Sequence, residues 1–326
     1  MASKMSNKSA EYLIKLFVTI ILLSILLSRI KINLMFDSLN EIAISVLIGS
    51  IMINFLAVFV NSIKWKLLLW EIPIIKLLKL NLISQYYSIL FPGQMVGEVA
   101  KAYILGKNKQ NAERIAASVF LDKITGFIAS SIIGLIGIFF SNADKLLLRY
   151  IALLLLILLI ICIVLIFSVR ISMFYQAVVK MLYLLKNRFN RITRILDLVL
   201  GVMNSWHIYS NNIIVLFKSV IFGLAYQILG IVICVILGKE LGVNVAFVDW
   251  CWILGLLSVI LLLPVTIGGL GIREGSLIGI LSIFKVSNEK ALALSFSLFG
   301  LQITLAIVGG ALELIRQRRH ITLIKV

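Results

Sequence analysis

The chain predicts an all-α polytopic membrane protein, on three observations. It is 61% hydrophobic and 14% charged over 326 residues, whereas a soluble domain is nearer half apolar and a quarter charged. Its apolar residues gather into near-continuous runs, and one membrane crossing needs about 20 residues. Alternating strand-length segments with turn signals, the mark of a membrane barrel, do not occur in the sequence. The runs lie at roughly 12–30, 42–63, 115–140, 150–169, 213–237 and 291–312. They predict six full transmembrane helices in a single integral membrane domain, 1–326.

Two further apolar stretches are interrupted. The first break reads Phe91-Pro92-Gly93-Gln94-Met95-Val96-Gly97-Glu98, and the second runs from Pro264 through Gly268, Gly269 and Gly271 to Arg273-Glu274. Proline removes a backbone donor and glycine loosens a helix. Backbone freed in this way is tolerated at membrane depth only inside protein or along a wet cavity. Each break therefore predicts a re-entrant helical hairpin; if the hairpins cross fully, the count rises to eight or more helices.

Charge sets the expected topology. Lys4, Lys8 and Lys15 place the N-terminus inside, and the basic clusters Lys64–Lys79 and Lys101–Arg114 bracket the first hairpin on the same inner side. Segment 141–149 is then outside, 170–212 inside and 238–250 outside, and the basic tail with Arg316, Arg318, Arg319 and Lys325 is inside. The second hairpin, within 251–284, enters from the outer face. The halves 12–169 (break at 91–98) and 213–319 (break at 264–274) thus form an inverted-repeat-like pair, with both termini cytoplasmic in a cell (inner) membrane. Between them, 170–212 reads as a cytoplasmic basic amphipathic linker. Phe174, Val178, Met181, Leu185, Phe189, Ile192, Leu196 and Val199 recur at helical spacing, with Lys180, Lys186, Arg191 and Arg194 opposite. Such a helix either lies in the headgroup layer or packs on its own protein. The net charge of +17 fits contact with anionic headgroups at the cytoplasmic face rather than with nucleic acid.

Cys162, Cys234 and Cys251 lie in apolar runs without metal-ligand spacing, and His207 and His320 are isolated. Neither a metal nor a cofactor is expected, and no phosphate-binding loop of the G-x-x-x-x-G-K-[ST] type occurs. Two interrupted segments in corresponding halves point to a transporter's substrate site. The candidate binding residues are Pro92, Gly93, Gly97, Glu98, Lys101, Gly268, Gly269, Gly271, Arg273 and Glu274, with Pro264 as a secondary member. Glu98 and Lys101, three apart, share a helical face. Arg273 and Glu274 are adjacent and expected to point apart, which makes a pairing of Arg273 with Glu98 across the halves the natural expectation. Exposed amides at a half-helix start, with an arginine beside them, suit a phosphate. Gln85, Tyr86 and Tyr87 precede the first break and suit a place in the same cavity, although aromatic packing at an interface explains the tyrosines equally well; Asp122-Lys123 is read as a local ion pair in preference to part of a proton or ion path.

The breaks resemble the signatures of the flippase-like family that includes the transmembrane region of lysylphosphatidylglycerol synthases. Pro92, Gly97, Glu98 and Lys101 match an element of the form Pro-x-x-x-x-Gly-Glu followed by a basic residue. Pro264, Gly268, Gly269, Gly271, Arg273 and Glu274 match Pro-x-x-x-Gly-Gly-x-Gly-x-Arg-Glu. Lys64-Trp65 and Asp122-Lys123 are weaker echoes; the family more often has Asp-Arg at the latter. The resemblance implies an integral membrane protein that moves or handles lipid. Bifunctional relatives carry a soluble aminoacyl-transferase domain after the membrane region, and the short tail beyond His320 leaves no room for one, so the membrane half alone is expected. The implied function is a lipid flippase, not an enzyme, for a phosphate-bearing phospholipid or polyprenyl-phosphate lipid, as a monomer or a homodimer. The alternatives are an enzyme acting on a lipid-linked substrate and a non-transporting scaffold for a lipid-modifying enzyme.

Overall fold

The computed structural model describes residues 16–17, 19–21, 24, 26, 31–91, 95–107, 111–168, 170, 175–176, 178–182, 184, 193–262 and 266–324. In chain order the helices are α1 (Ile32–Asn40), α2 (Ile44–Leu68), α3 (Ile74–Leu90), α4 (Met95–Gly106), α5 (Ala112–Phe140), α6 (Lys145–Ser168), α7 (Thr193–Asn211), α8 (Ile213–Glu240), α9 (Phe247–Ile260), α10 (Ile272–Ser282) and α11 (Asn288–Ile324). The fold is all-α and polytopic. Five of these helices, α2, α5, α6, α8 and α11, are long and apolar enough to cross a membrane. The sixth expected span, 12–30, lies largely outside the described residues.

Composition explains the division between spans and hairpins. α6 has a mean hydropathy of 3.6 over its most apolar window and exposes Leu153, Ile157, Ile160, Ile161 and Val164. A helix that is apolar all round needs either a protein core or lipid around it, and the exposed faces of α6 call for lipid. The hairpin arms are shorter: 17 residues in α3, 12 in α4, 14 in α9 and 11 in α10. At about 1.5 Å per residue none of the four reaches across a hydrocarbon core of about 30 Å alone. The first hairpin turns after Phe91, with Pro92, Gly93 and Gln94 outside the described residues. The second turns between Leu261 and Gly271, where Gly268, Gly269 and Gly271 take φ of 61°, 76° and 86°. Three left-handed residues among four are open to glycine and strained for anything with a Cβ. Pro264 is again outside the described residues.

Helix pairing relates the two halves. α2 packs along α8, α3 along α11 and α9 along α5, while α4 packs on α5 as α10 does on α11. Exchanging α2–α5 for α8–α11 maps this set of pairings onto itself. α2 and α8 run antiparallel. Ala43 N at the start of α2 donates to Glu240 Oε2 at the end of α8 (3.4 Å), and further along Asn61 and Gly223 line one cavity. Equivalent helices of opposite direction are the geometry of an inverted repeat. α6 lies outside this set, packed on α5, and α1 packs on α11.

Of the linker helix, Tyr175, Gln176, residues 178–182 and Leu184 are described, and they are helical. Val178, Val179 and Leu182 pack against Leu196, Leu200 and Met203 of α7. Tyr175 stacks on His207 with ring centroids 4.6 Å apart. Of the expected apolar face, Val178 and Leu196 are thus packed within the protein, whereas Met181 and Val199 are exposed. Phe174, Leu185, Phe189 and Ile192 lie outside the described residues.

The first hairpin depends on close approach at Gly97, where an added Cβ would run into the Ser84 carbonyl oxygen and the Ser88 hydroxyl. Gly97→Ala is therefore expected to destabilise the protein by about 1–3 kcal/mol, read as a lowered thermal midpoint in detergent. Gly275→Ala, at a position with nothing within 4 Å, is expected to leave the midpoint unchanged or slightly raised.

Candidate functional site

Behind the first break, three helices bring five ionisable side chains together. The last turns of α2 supply Lys64, α4 supplies Glu98 and Lys101, and α5 supplies Asp122 and Lys123. They alternate in sign along one chain of contacts. Lys64 Nζ lies 3.2 Å from Asp122 Oδ1, and Asp122 Oδ2 is 3.6 Å from Lys101 Nζ. Lys101 is 2.6 Å from Glu98 Oε2, whose other oxygen is 3.2 Å from Lys123 Nζ. A buried charge is tolerated when paired and hydrogen-bonded, and neighbours complete this set. Lys101 donates to Asn81 Oδ1 (3.1 Å) and sits 4.4 Å over the Trp65 ring. Asn81 donates to Ser62 Oγ, and Trp65 Nε1 to Ser118 Oγ. Lys64 also donates to the Asp122 carbonyl oxygen.

The expected sharing of a face by Glu98 and Lys101 is present as their i,i+3 bridge. Asp122 and Lys123 do not form the local pair read from their adjacency. Successive helical residues point about 100° apart, so Asp122 turns to Lys64 and Lys101 while Lys123 turns to Glu98. The weak echo Lys64-Trp65 proves to belong to this cluster.

The second break builds a different arrangement. Gly271 N donates to Glu274 Oε2 (2.6 Å), capping the start of α10. Glu274 Oε1 accepts from Arg273 Nη2 (2.7 Å) and Nε (3.2 Å) and from Ser295 Oγ (3.1 Å). Arg273 Nη1 donates to Gln302 Oε1 (3.1 Å), and its guanidinium lies 4.8 Å from the Phe299 ring centre. Arg273 thus pairs with its own neighbour, and the expected bridge from Arg273 to Glu98 is not formed. The long arginine side chain folds back over the helix start, where the carboxylate also meets the positive end of the helix dipole.

Among the described residues, three adjoining cavities lie between the halves, of about 250, 180 and 240 Å³. Tyr226 of α8 lines all three. The first holds Lys64, Glu98, Asp122 and Lys123 with Asn61, Gln85 and Gln227. The second shares Gln85, Glu98 and Lys123 and adds Gly268 and Gln302. The third is the most apolar, with Leu254, Leu257, Leu277, Leu298 and Leu301 in its wall and Arg273 and Gln302 among its polar lining.

Of the residues singled out from sequence, Gln85, Glu98, Asp122, Lys123, Gly268 and Arg273 line these cavities. Lys101 and Glu274 are completely buried behind them. Gly97 serves hairpin packing, and Gly269 and Gly271 shape the second turn. Tyr86 packs on Gly310, away from the three cavities, and Tyr87 donates to Glu313 (3.0 Å). Pro92, Gly93 and Pro264 lie outside the described residues. Sequence reasoning missed Asn54, Asn61, Tyr226, Gln227, Ser258 and Gln302. Each is a polar side chain inside an apolar run, which is itself a pointer to an intramembrane site.

The family described as lysylphosphatidylglycerol synthase TM region has a model that matches residues 12–310. No curated protein and no solved structure gives a significant match.

Asp122 bridges two lysines that are almost fully buried. Asp122→Asn is expected to destabilise by about 3–5 kcal/mol, the range for breaking a buried ion pair from one side. Glu71→Gln, which breaks the exposed pair with Arg114, is expected to change stability by less than about 1 kcal/mol. Chemical unfolding of both variants in detergent reads the difference.

Proposed function

The chain belongs to the family of lysylphosphatidylglycerol synthase transmembrane regions, which ties it to a lipid-related role in a membrane, and on that premise we propose that it is a lipid flippase for a phosphate-bearing headgroup. The observation that carries this reading is the pair of polar cavities, both lined by Lys123 and Glu98, between two antiparallel halves whose outer surfaces are apolar. A headgroup crossing hydrocarbon loses its water, and a charge at the bilayer centre costs about 2.5–3.5 kcal/mol on insertion scales. Lys123 and the amides around it replace that hydration, while the tails stay in lipid outside the bundle. The two halves supply the two states that alternating access needs, one hairpin serving each face. In this reading the protein sits in the cell membrane with both termini cytoplasmic. An enzyme acting on lipid-linked substrate has less support, because Glu98, Asp122 and Glu274 are each already held by cations.

Redistribution of labelled lipids in proteoliposomes tests the proposal, using phosphatidylglycerol, its aminoacylated derivative and a polyprenyl phosphate as probes. Wild-type protein is expected to speed redistribution of at least one of them. Glu98→Gln and Lys123→Gln are each expected to slow it by about ten-fold or more, the scale of one lost charge-assisted contact. Folded wild-type protein that moves none of the three, with or without an imposed pH gradient, would overturn it.

A further inference from the structure

We infer that the headgroup this site accepts is a single anionic phosphate bearing a neutral, hydroxyl-rich group such as glycerol or a sugar, and that amine-bearing headgroups are disfavoured. This rests on the lipid-transport reading above and names the substrate class within it.

Charge gives the first argument. In the first cluster three lysines face two carboxylates, and Arg273 in the second is matched by Glu274. One positive formal charge is left over beside the cavities. Lys64 and Lys101 are almost wholly buried and held by protein acceptors. Lys123 differs: its side chain is 35% exposed, it lines both polar cavities, and its ion-pair partner is Glu98. A phosphate entering there meets Lys123 and completes the charge balance. An ammonium group would find no carboxylate to spare among the described residues that line or back these cavities. Glu98 and Asp122 each already bridge two lysines, and Glu274 is fully buried beneath Arg273.

Hydrogen-bonding capacity gives the second. Asn61, Gln85 and Gln227 line the first cavity together with Tyr226. Side-chain hydrogen bonds among the described residues engage none of these four. Gln302, which lines the second and third cavities, uses its carbonyl oxygen on Arg273, and no side-chain hydrogen bond among the described residues engages its amide nitrogen. A carboxamide offers both donors and acceptors, as a hydroxyl does. Glycerol or sugar hydroxyls therefore satisfy several of these groups at once. A primary ammonium can donate to the carboxamide oxygens but accepts from none of their N–H groups, and a quaternary ammonium does neither, so each satisfies less of this lining than a hydroxyl does.

Shape gives the third. The apolar third cavity meets the polar two at Tyr226, so the phosphate end of a hydrocarbon chain has an apolar slot beside the headgroup chamber.

Binding to the full chain in nanodiscs tests this without requiring transport. The probes share one acyl composition and differ in headgroup: phosphatidylglycerol, phosphatidic acid, phosphatidylethanolamine and lysylphosphatidylglycerol, with a glycosyl phosphoryl polyprenol as the isoprenoid counterpart. Phosphatidylglycerol or the glycosyl polyprenol is expected to bind about ten-fold or more tightly than either amine-bearing lipid, as expected for one or two lost hydrogen bonds. Whichever of the two binds identifies the lipid carrier. The double variant Gln85→Leu/Gln227→Leu is expected to lose the preference for phosphatidylglycerol over phosphatidic acid while still binding phosphatidic acid. That retained binding also reports that the variant is folded. Lys123→Gln is expected to weaken every anionic lipid together. Equal or tighter binding of the amine-bearing lipids, or an unchanged preference in the double variant, overturns the inference. Selective binding without redistribution in proteoliposomes would overturn the transport reading alone.

Discussion

The pairing of Asp122 with Lys64 and Lys101 is the constraint on which the first half depends. These residues come from α5, α2 and α4, and all three are more than nine-tenths buried. In an apolar bundle a lone cation would have to leave or lose its charge, so the carboxylate fixes where three helices meet. α4 buries one large apolar side chain almost fully, Leu105, and its Lys101 is anchored by Asp122, Asn81 and the Trp65 ring. Glu98, one turn earlier on the same face, is thereby set at the cavity edge. Hairpin geometry and site geometry have the same cause.

The second half reaches an equivalent position by another route. Its hairpin arm starts at Gly271, whose left-handed backbone lets Glu274 cap the amide and hold Arg273 in the same step. That cluster is neutral and closed on itself, with Ser295 and Gln302 completing it. The pairing of helices is symmetric between the halves, but the electrostatics are not. In the first half the span α5 presents Lys123 to the cavities, and in the second the hairpin arm α10 presents a satisfied guanidinium beside an apolar slot. A polar headgroup and its chain have different needs, and this asymmetry separates them.

Much of this was legible in the sequence, and the limits have physical reasons. Spans and breaks follow from hydropathy and from proline and glycine, and helical spacing sufficed to put Glu98 beside Lys101. Partner choice for Asp122, Lys123 and Arg273 was misread. Adjacency in sequence says only that two side chains differ in direction, and tertiary packing decides which cation each carboxylate meets. For Arg273 even that rule yielded, because its side chain is long enough to return to Glu274. Asn61, Tyr226, Gln227 and Gln302 were overlooked because one polar residue barely moves the average over an apolar run. Their positions on α2, α8 and α11 converge only once the inverted pairing brings those helices together.

A transport site must hold its ligand weakly enough to release it, and the bridge between Glu98 and Lys123 supplies a means. An incoming phosphate and the Glu98 carboxylate are alternative anions for one ammonium, so binding exchanges one charge-assisted contact for another. The net gain is then much smaller than for a bare cation in the same cavity. Glu98 does not become an orphan in the exchange, because Lys101 stays 2.6 Å away and is itself held by Asp122 and Asn81. The buried lysine behind the site thus keeps the carboxylate paired while the exposed one changes partner. A single exposed lysine without that backing would either bind phosphate too tightly or leave a stranded charge when it let go.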